Sequence, residues 1–251
     1  MTTILVTGGS GTLGTHVVSR LRHTGHDGRV LSRRPGVGTH RGDLSTGAGV
    51  ATAVQGASVV VHAASDTRRF GRRDEQQTRR LLAACSGVDH LVYISIVGID
   101  RIPYSYYRAK LRVEEMIASS GVAHSILRAT QFHELMELGL GVASRLPVAP
   151  LPLDFRFQPL AAAEAADHLV SLATGPVAGR VPDVGGPDVM DLASMVAAWR
   201  ELRGRLRRTV RVPLPGATAR AFRKGFNTCP ERAVGTITWR QFLTPAPAGE
   251  V

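Results

Sequence analysis

Thr3-Ile4-Leu5-Val6-Thr7-Gly8-Gly9-Ser10-Gly11-Thr12-Leu13-Gly14 lies near the N-terminus and decides the architecture. The apolar run Ile4–Thr7 reads as a buried strand, and Thr12–His23 reads as the helix that follows it. The glycines between them permit a tight strand-to-helix turn whose backbone can approach a pyrophosphate. The free N–H groups at a helix start would meet that charge. Gly14, one turn into the helix, allows helix and strand to pack closely. Gly8, Gly11, Thr12, Leu13 and Gly14 are therefore candidate dinucleotide-binding residues.

The same rhythm continues outward from this turn. Strands are expected over Arg29–Ser32, Ser58–His62, His90–Ser95 and His124–Arg128, and helices over Thr46–Gln55, Arg73–Ser86 and Tyr106–Ser120. Strands without polar alternation, separated by helices, predict an α/β doubly wound parallel sheet of the Rossmann type, buried on both faces. Beyond residue 130 the rhythm loosens. Gly139-Leu140-Gly141 and the segment 147–152 read as loops, and helices are expected over Ala162–Ala173, around Leu192–Leu202 and from Ala217. Short strands are expected near Val181 and over Thr209–Val212. The expected organisation is one domain, with a core over about residues 1–175 and a small C-terminal substrate-side lobe over about 176–251.

Hydrophobic residues make up 43% and charged residues 20% of the 251, which fits a globular chain and excludes a disordered one. No stretch reaches the roughly 18 consecutive apolar residues of a membrane span, and the N-terminus does not read as a signal peptide. Cys85 and Cys229 form no disulfide framework and no metal-ligand spacing. A cytoplasmic protein with reduced thiols, no membrane partner and no metal is expected. The net charge is +11, with lysine only at positions 110 and 224. The densest basic stretch, Arg200–Arg211, has no interleaved aromatics or nucleic-acid reading motif. It is read as a solvated helix end and loop, and no nucleic-acid partner is assigned to it.

The end of the second strand selects the cofactor. NAD sites usually carry an acid there for the ribose hydroxyls, whereas here the residues are Leu31-Ser32-Arg33-Arg34. Ser32, Arg33 and Arg34 suit a 2′-phosphate, so NADP(H) is expected ahead of NAD(H). Asp43 and Leu44 precede the second helix, where Asp43 can accept from an adenine amino group. Ala63, Ala64 and Ser65 end the third strand, and small residues there let backbone lie along a cofactor. His62 is read as a packed histidine.

Tyr106 and Lys110 stand four apart on a predicted helix and share a face. A nearby ammonium and a cationic nicotinamide favour tyrosinate, which would bring Tyr106 into a useful range for proton transfer. Ser95, at the end of the fourth strand, can hydrogen-bond the same substrate oxygen. Ser95, Tyr106 and Lys110 are the candidate catalytic residues. Gln131, Phe132, His133 and Met136 after the fifth strand, with Trp199 from the lobe, are candidates for lining an apolar small-molecule substrate.

The glycine turn, the Asp43-Leu44 pair and Tyr106-x-x-x-Lys110 together resemble the extended and atypical short-chain dehydrogenase/reductases. Leu31-Ser32-Arg33-Arg34-Pro35, Tyr93-Ile94-Ser95 and Leu127-Arg128-Ala129-Thr130-Gln131-Phe132 resemble the NmrA-like, NAD(P)H-binding branch. The resemblance spans residues 2 to about 175. It implies an NADP(H)-dependent oxidoreductase acting on a carbonyl or related group, often a homodimer, with Ser95, Tyr106 and Lys110 at the positions of the family's catalytic trio. Eleven positions separate Ser95 from Tyr106, a shorter interval than in the main branch. The alternative implied by the branch is a non-catalytic NADP(H)-binding redox sensor that signals to a protein partner.

Overall fold

The computed structural model describes residues 2–66, 71–204 and 208–244. In chain order the elements are β1 (Thr3–Thr7), α1 (Thr12–His23), β2 (Asp27–Ser32), β3 (Thr39–Arg41), α2 (Val50–Val54), β4 (Val59–His62), α3 (Asp74–Ala84), β5 (His90–Ile96), α4 (Ser105–Ala118), β6 (His124–Ala129) and α5 (His133–Ala143). There follow β7 (Ala149–Leu151), β8 (Arg156–Phe157), α6 (Ala162–Thr174), β9 (Gly179–Arg180), β10 (Met190–Asp191), α7 (Leu192–Arg203), β11 (Thr209–Arg211), α8 (Ala217–Arg223) and α9 (Trp239–Leu243).

The chain forms two compact units. The first takes in the described residues up to Arg128 together with Ala162–Pro182. It holds a seven-stranded sheet in the order β3-β2-β1-β4-β5-β6-β9, with β1 parallel to both β2 and β4. The order reverses about β1, the doubly wound pattern expected from the sequence. Strand side chains alternate between faces. Leu5, Leu31, Val60, Leu91 and Tyr93 form one core with Val50, Val54, Leu81, Val113 and Ile117 from α2, α3 and α4. Their neighbours Ile4, Val6, Val59, Val61 and Val92 are equally buried and turn to the opposite face. Helices α1 and α6 pack together, α6 also meeting β4 and β5.

The second unit comprises Ala129–Ala161 and the described residues from Asp183 onward. Residues 129–161, expected in the core, thus pack with the C-terminal lobe, and Ala162–Pro182 return to the sheet. The unit has two small sheets, β7 beside β11 and β8 against β10. Its core is Leu140, Leu192, Met195, Val196, Trp199, Trp239 and Leu243.

Three local expectations are corrected. The loop expected at Gly139–Gly141 is part of α5, because Met136, Leu140 and Ala143 recur at helical spacing against the second core. The helix expected over Thr46–Gln55 is confined to Val50–Val54, since Gly47 and Gly49 have φ of 87° and 69°. Pro150, expected in a loop, lies in β7.

Gly14 shows how tightly the first turn is built. A Cβ there would meet the Gly8 carbonyl oxygen and lie 2.6 Å from Gly9 Cα and 2.7 Å from Gly8 C, all of it backbone. Gly14→Ala is expected to cost about 1–3 kcal/mol by overpacking and to lower the melting temperature by about 2–4 °C per kcal/mol. Gly139→Ala is the control. Its Cβ would meet nothing within 4 Å, so the change should stabilise the exposed helix, by up to about 1 kcal/mol. Calorimetry of both variants checks the pair, and equal melting temperatures would refute the close packing.

Candidate active site

The glycine turn leaves β1 at Gly8, where φ is +71°. A Cβ on Gly8 would lie 2.7 Å from Ala64 N and 2.8 Å from Ala63 C, so glycine is needed where the turn meets the segment after β4. Gly11 N–H donates to Gly8 O at 2.9 Å. No side chain caps α1 at Gly11, which leaves the helix-start N–H groups of Thr12, Leu13 and Gly14 for an anion. This cradle fits a dinucleotide pyrophosphate.

At the end of β2, Ser32 Oγ accepts from Arg34 N–H at 3.1 Å and shapes the turn that carries the two arginines. Arg33 and Arg34 are exposed, and among the described residues neither makes an ion pair. Asp43 Oδ1 accepts from Ser45 N–H at 2.7 Å, a turn contact that engages one of its carboxylate oxygens. Leu44 is buried in the core behind it.

Ala63 N–H donates to Thr7 O at 3.1 Å, which fixes the start of the segment after β4. His62, just before it, is buried with Nδ1 2.7 Å from Thr7 Oγ1 and Nε2 3.1 Å from Thr78 Oγ1. Burial, followed by the nearby Lys110 charge, pushes its pKa down to about 3, so His62 is a neutral packed histidine as expected.

Ser65 has a more specific place. Its hydroxyl donates to Asp74 Oδ2 at 2.6 Å and lies 3.0 Å from Tyr106 Oη. Asp74 opens α3, is 3% exposed, and also accepts from Asp66 N–H at 2.7 Å. Gly71, at φ +70°, lies so close beneath the Tyr106 ring that a Cβ there would be 2.9 Å from Cδ2. Of the neighbouring tyrosines, Tyr107 is buried in the core and Tyr104 is the N-cap of α4.

Lys110 is 4% exposed, and its ammonium donates to Ile94 O at 3.1 Å and sits 4.4 Å from the centroid of the Tyr93 ring. Burial pushes its pKa down to about 8, against the pull of Asp74 and Glu114. Burial pushes the Tyr106 phenol up to about 12, and the charges of Asp74 and Tyr104 act in the same direction. The expectation that Lys110 holds the phenol low is corrected: Tyr106 is coupled to an acid through Ser65, and the hydrogen bond of Lys110 goes to β5. Ser95 Oγ, at the end of β5, is buried and has no hydrogen-bond partner among the described residues.

The substrate candidates lie in the second unit. His133 is fully buried, with Nε2 2.9 Å from Ile237 O and its ring stacked on Phe242 and Trp239. Gln131 Oε1 accepts from Asn227 Nδ2 at 3.1 Å, and Phe132 bridges to Leu160. Met136 packs on the second core. Trp199 lines a cavity of about 310 Å³ with Leu138, Gly141, Val142, Ser144 and Arg145. His133 is thus a packing residue.

The basic stretch is partly neutralised. Arg203 pairs with Glu137 at 2.8 Å and Arg211 with Asp154 at 2.9 Å, while Arg205 and Arg207 lie outside the described residues. Cys85 and Cys229 are buried thiols, raised by burial to about 11 and about 12. Among the described residues no helix is long and apolar enough to cross a membrane.

A glycine cradle at a helix start, a parallel sheet reversing beside it and a tyrosine–lysine pair on α4 define a nicotinamide-dinucleotide protein of the atypical short-chain dehydrogenase/reductase type. A family model described as NAD(P)H-binding matches residues 8–139, and the chain belongs to that family. Among curated proteins it is 32% identical over 113 residues to a 3-beta-hydroxysteroid dehydrogenase of Mycolicibacterium neoaurum, covering 41% of this chain and 31% of that protein. It is 26% identical over 143 residues to Quinone oxidoreductase 2 of Escherichia coli, covering 52% and 49%. The matched regions thus span less than half the length of either relative. Among solved structures, the NADPH-dependent quinone oxidoreductase of Escherichia coli complexed with NADPH superposes with a TM-score of 0.80 at 18% identity, over 96% of this chain and 98% of that one. A nucleoside-diphosphate-sugar epimerase of Staphylococcus aureus gives 0.76 at 17% identity, over 97% and 99%. At these identities the structural likeness shows the fold.

Proposed function

We propose that this protein is an NADPH-dependent oxidoreductase that reduces a quinone, ketone or related group of an apolar small molecule. The observation that carries the reading is the continuity of the first unit's site. Gly8 of the cofactor turn abuts Ala63 and Ala64, and the next residue, Ser65, holds the Tyr106 phenol. A phenol held by the residue next to the cofactor cradle suits proton transfer there, for which a protein that only holds the dinucleotide has no need. The names of the two curated relatives, a quinone oxidoreductase and a hydroxysteroid dehydrogenase, support this substrate class.

The reduced nicotinamide supplies hydride when bound. Tyr106 supplies the proton to the substrate oxygen, and Ser95 Oγ, buried without a partner among the described residues, is a donor suited to the same developing charge. Ser32, Arg33 and Arg34 take the 2′-phosphate, and Asp43 retains one carboxylate oxygen for the adenine amino group.

Titration with NADPH and NADH by nicotinamide fluorescence, followed by NADPH oxidation with a panel of quinones and ketosteroids, tests the reading. NADPH should bind more tightly than NADH. Arg33→Ala should weaken NADPH alone by about tenfold, the worth of one charge-assisted hydrogen bond. Equal affinity for the two dinucleotides would sink the phosphate assignment, and NADPH binding without oxidation by any of the panel would favour the redox-sensor alternative.

A further inference from the structure

The hydrogen bonds around Tyr106 fix where its proton points. Ser65 has one hydroxyl proton, and it is donated to Asp74 Oδ2 at 2.6 Å. At the 3.0 Å contact with Tyr106, Ser65 Oγ must therefore accept, and the phenol donates. Asp66 N–H secures the other oxygen of Asp74 at 2.7 Å, so the carboxylate cannot turn away. The result is a directed chain from Tyr106 Oη to Ser65 Oγ to Asp74, closed beneath the ring by Gly71.

The geometry points to Asp74 as the terminal proton acceptor and donor for Tyr106, with Ser65 as the relay. This rests on the oxidoreductase reading. In the oxidising direction the substrate hydroxyl gives its proton to Tyr106 as Tyr106 gives its own to Ser65 and Ser65 gives its own to Asp74. The electron pair of the broken C–H bond leaves as hydride to the oxidised nicotinamide, and Asp74 ends as the neutral acid. In reduction every transfer runs backwards, and Asp74 ends as carboxylate. Ser65 and Asp74 are positioning residues, since of the three relay groups it is Tyr106 that meets the substrate. Asp74 is faced by Ser65 and Asp66 from the segment after β4, by Tyr106 and Lys110 from α4, and by Tyr93 from β5.

Two variants separate a relay from a simple effect on phenol acidity. Asp74→Asn keeps an acceptor for Ser65 and removes the charge that raises Tyr106, so the tyrosinate midpoint should fall. Ser65→Ala removes the acceptor of the phenol's proton, which favours the neutral phenol, so there too the midpoint should fall. Both should nonetheless lose about a hundredfold in kcat, and Asp74→Asn should leave the Kd for NADPH unchanged. Asp74→Glu should recover part of the loss. The midpoints come from near-ultraviolet titration of each variant against its Tyr106→Phe counterpart, with no substrate present. Midpoints unmoved in both variants, or full turnover in either, would overturn the relay. If the wild type turns over no quinone or ketosteroid, the oxidoreductase reading falls on its own, and the relay's wiring stands or falls on the two midpoints.

Discussion

Glu114→Ala is expected to destabilise the first unit by about 3–5 kcal/mol, the usual cost of leaving one member of a buried ion pair without its partner. Arg128 on β6 is 6% exposed at the side chain and Glu114 on α4 is 8% exposed. The guanidinium grips the carboxylate with two bonds, Nε to Oε1 at 2.9 Å and Nη2 to Oε2 at 2.7 Å. Its third contact, Nη1 to Asp100 Oδ2 at 3.0 Å, reaches a side chain that is 50% exposed and well screened. Asp100 therefore cannot replace Glu114. At about 2–4 °C per kcal/mol the melting temperature should fall by about 10 °C. The control is Arg128→Leu in the Glu114→Leu background, which removes both charges and should recover most of the loss. If Glu114→Ala melts with the wild type, the pair contributes nothing and α4 is held by Val113 and Ile117 alone.

The pair bears on the site because Glu114 lies one turn after Lys110 and two after Tyr106 on the same helix. Little of this was legible in the sequence. Runs such as Val59–His62 and His90–Ser95 were readable because a parallel strand buried on both faces has no polar alternation. β8 and β10, two residues each, leave too few positions for any period to register. Gly139 and Gly141 pointed to a loop, yet α5 crosses them because the second core takes up Leu140 between them, with Gly139 exposed and Gly141 half-buried. Each glycine costs the helix up to about 1 kcal/mol, which tertiary packing outweighs.

At the site, the glycine turn was legible because its demands are local. Ser65 was legible only as a small residue near a cofactor. Asp74 was missed. It follows Arg72 and Arg73 and precedes Glu75, and an acid at a helix start reads as a complement to the helix dipole. Its partners Ser65 and Asp66 lie 9 and 8 positions back along the chain, and the phenol that Ser65 holds lies 41 positions beyond Ser65, separations that no periodicity records. The one available signal was an acid at the start of a helix following a strand whose outgoing segment carries a small hydroxyl residue.

Lys110→Met is expected to make the fold more stable at neutral pH and, by removing the ammonium whose charge is coupled to Asp74 of the proposed relay, to lower turnover by about a hundredfold. Lys110 is 4% exposed, and its pKa falls from an ordinary 10.5 to about 8 through burial. In the unfolded chain the same group holds its proton up to about 10.5. Between about 8 and 10.5 the unfolded state therefore binds more protons than the folded one, and stability rises with pH across that window. Below 8 both states are charged and the cost of burying the charge is present in full, about 3 kcal/mol for a displacement of this size. Methionine has a similar reach and no charge to bury, so the variant should melt higher than the wild type at pH 7. The difference should narrow as pH approaches 10.5, where the wild type is relieved of the same cost. Thermal unfolding of both proteins at pH 7 and near pH 10 checks the sign. A variant less stable at pH 7 would mean that the bond to Ile94 O and the contact with the Tyr93 ring outweigh desolvation. A stabilised variant with full turnover would remove Lys110 from the chemistry. A fold that is stabilised when it loses activity carries its buried lysine for function, and that is the combination expected of a cation kept beside Asp74 and Tyr93 against the cost of dehydrating it.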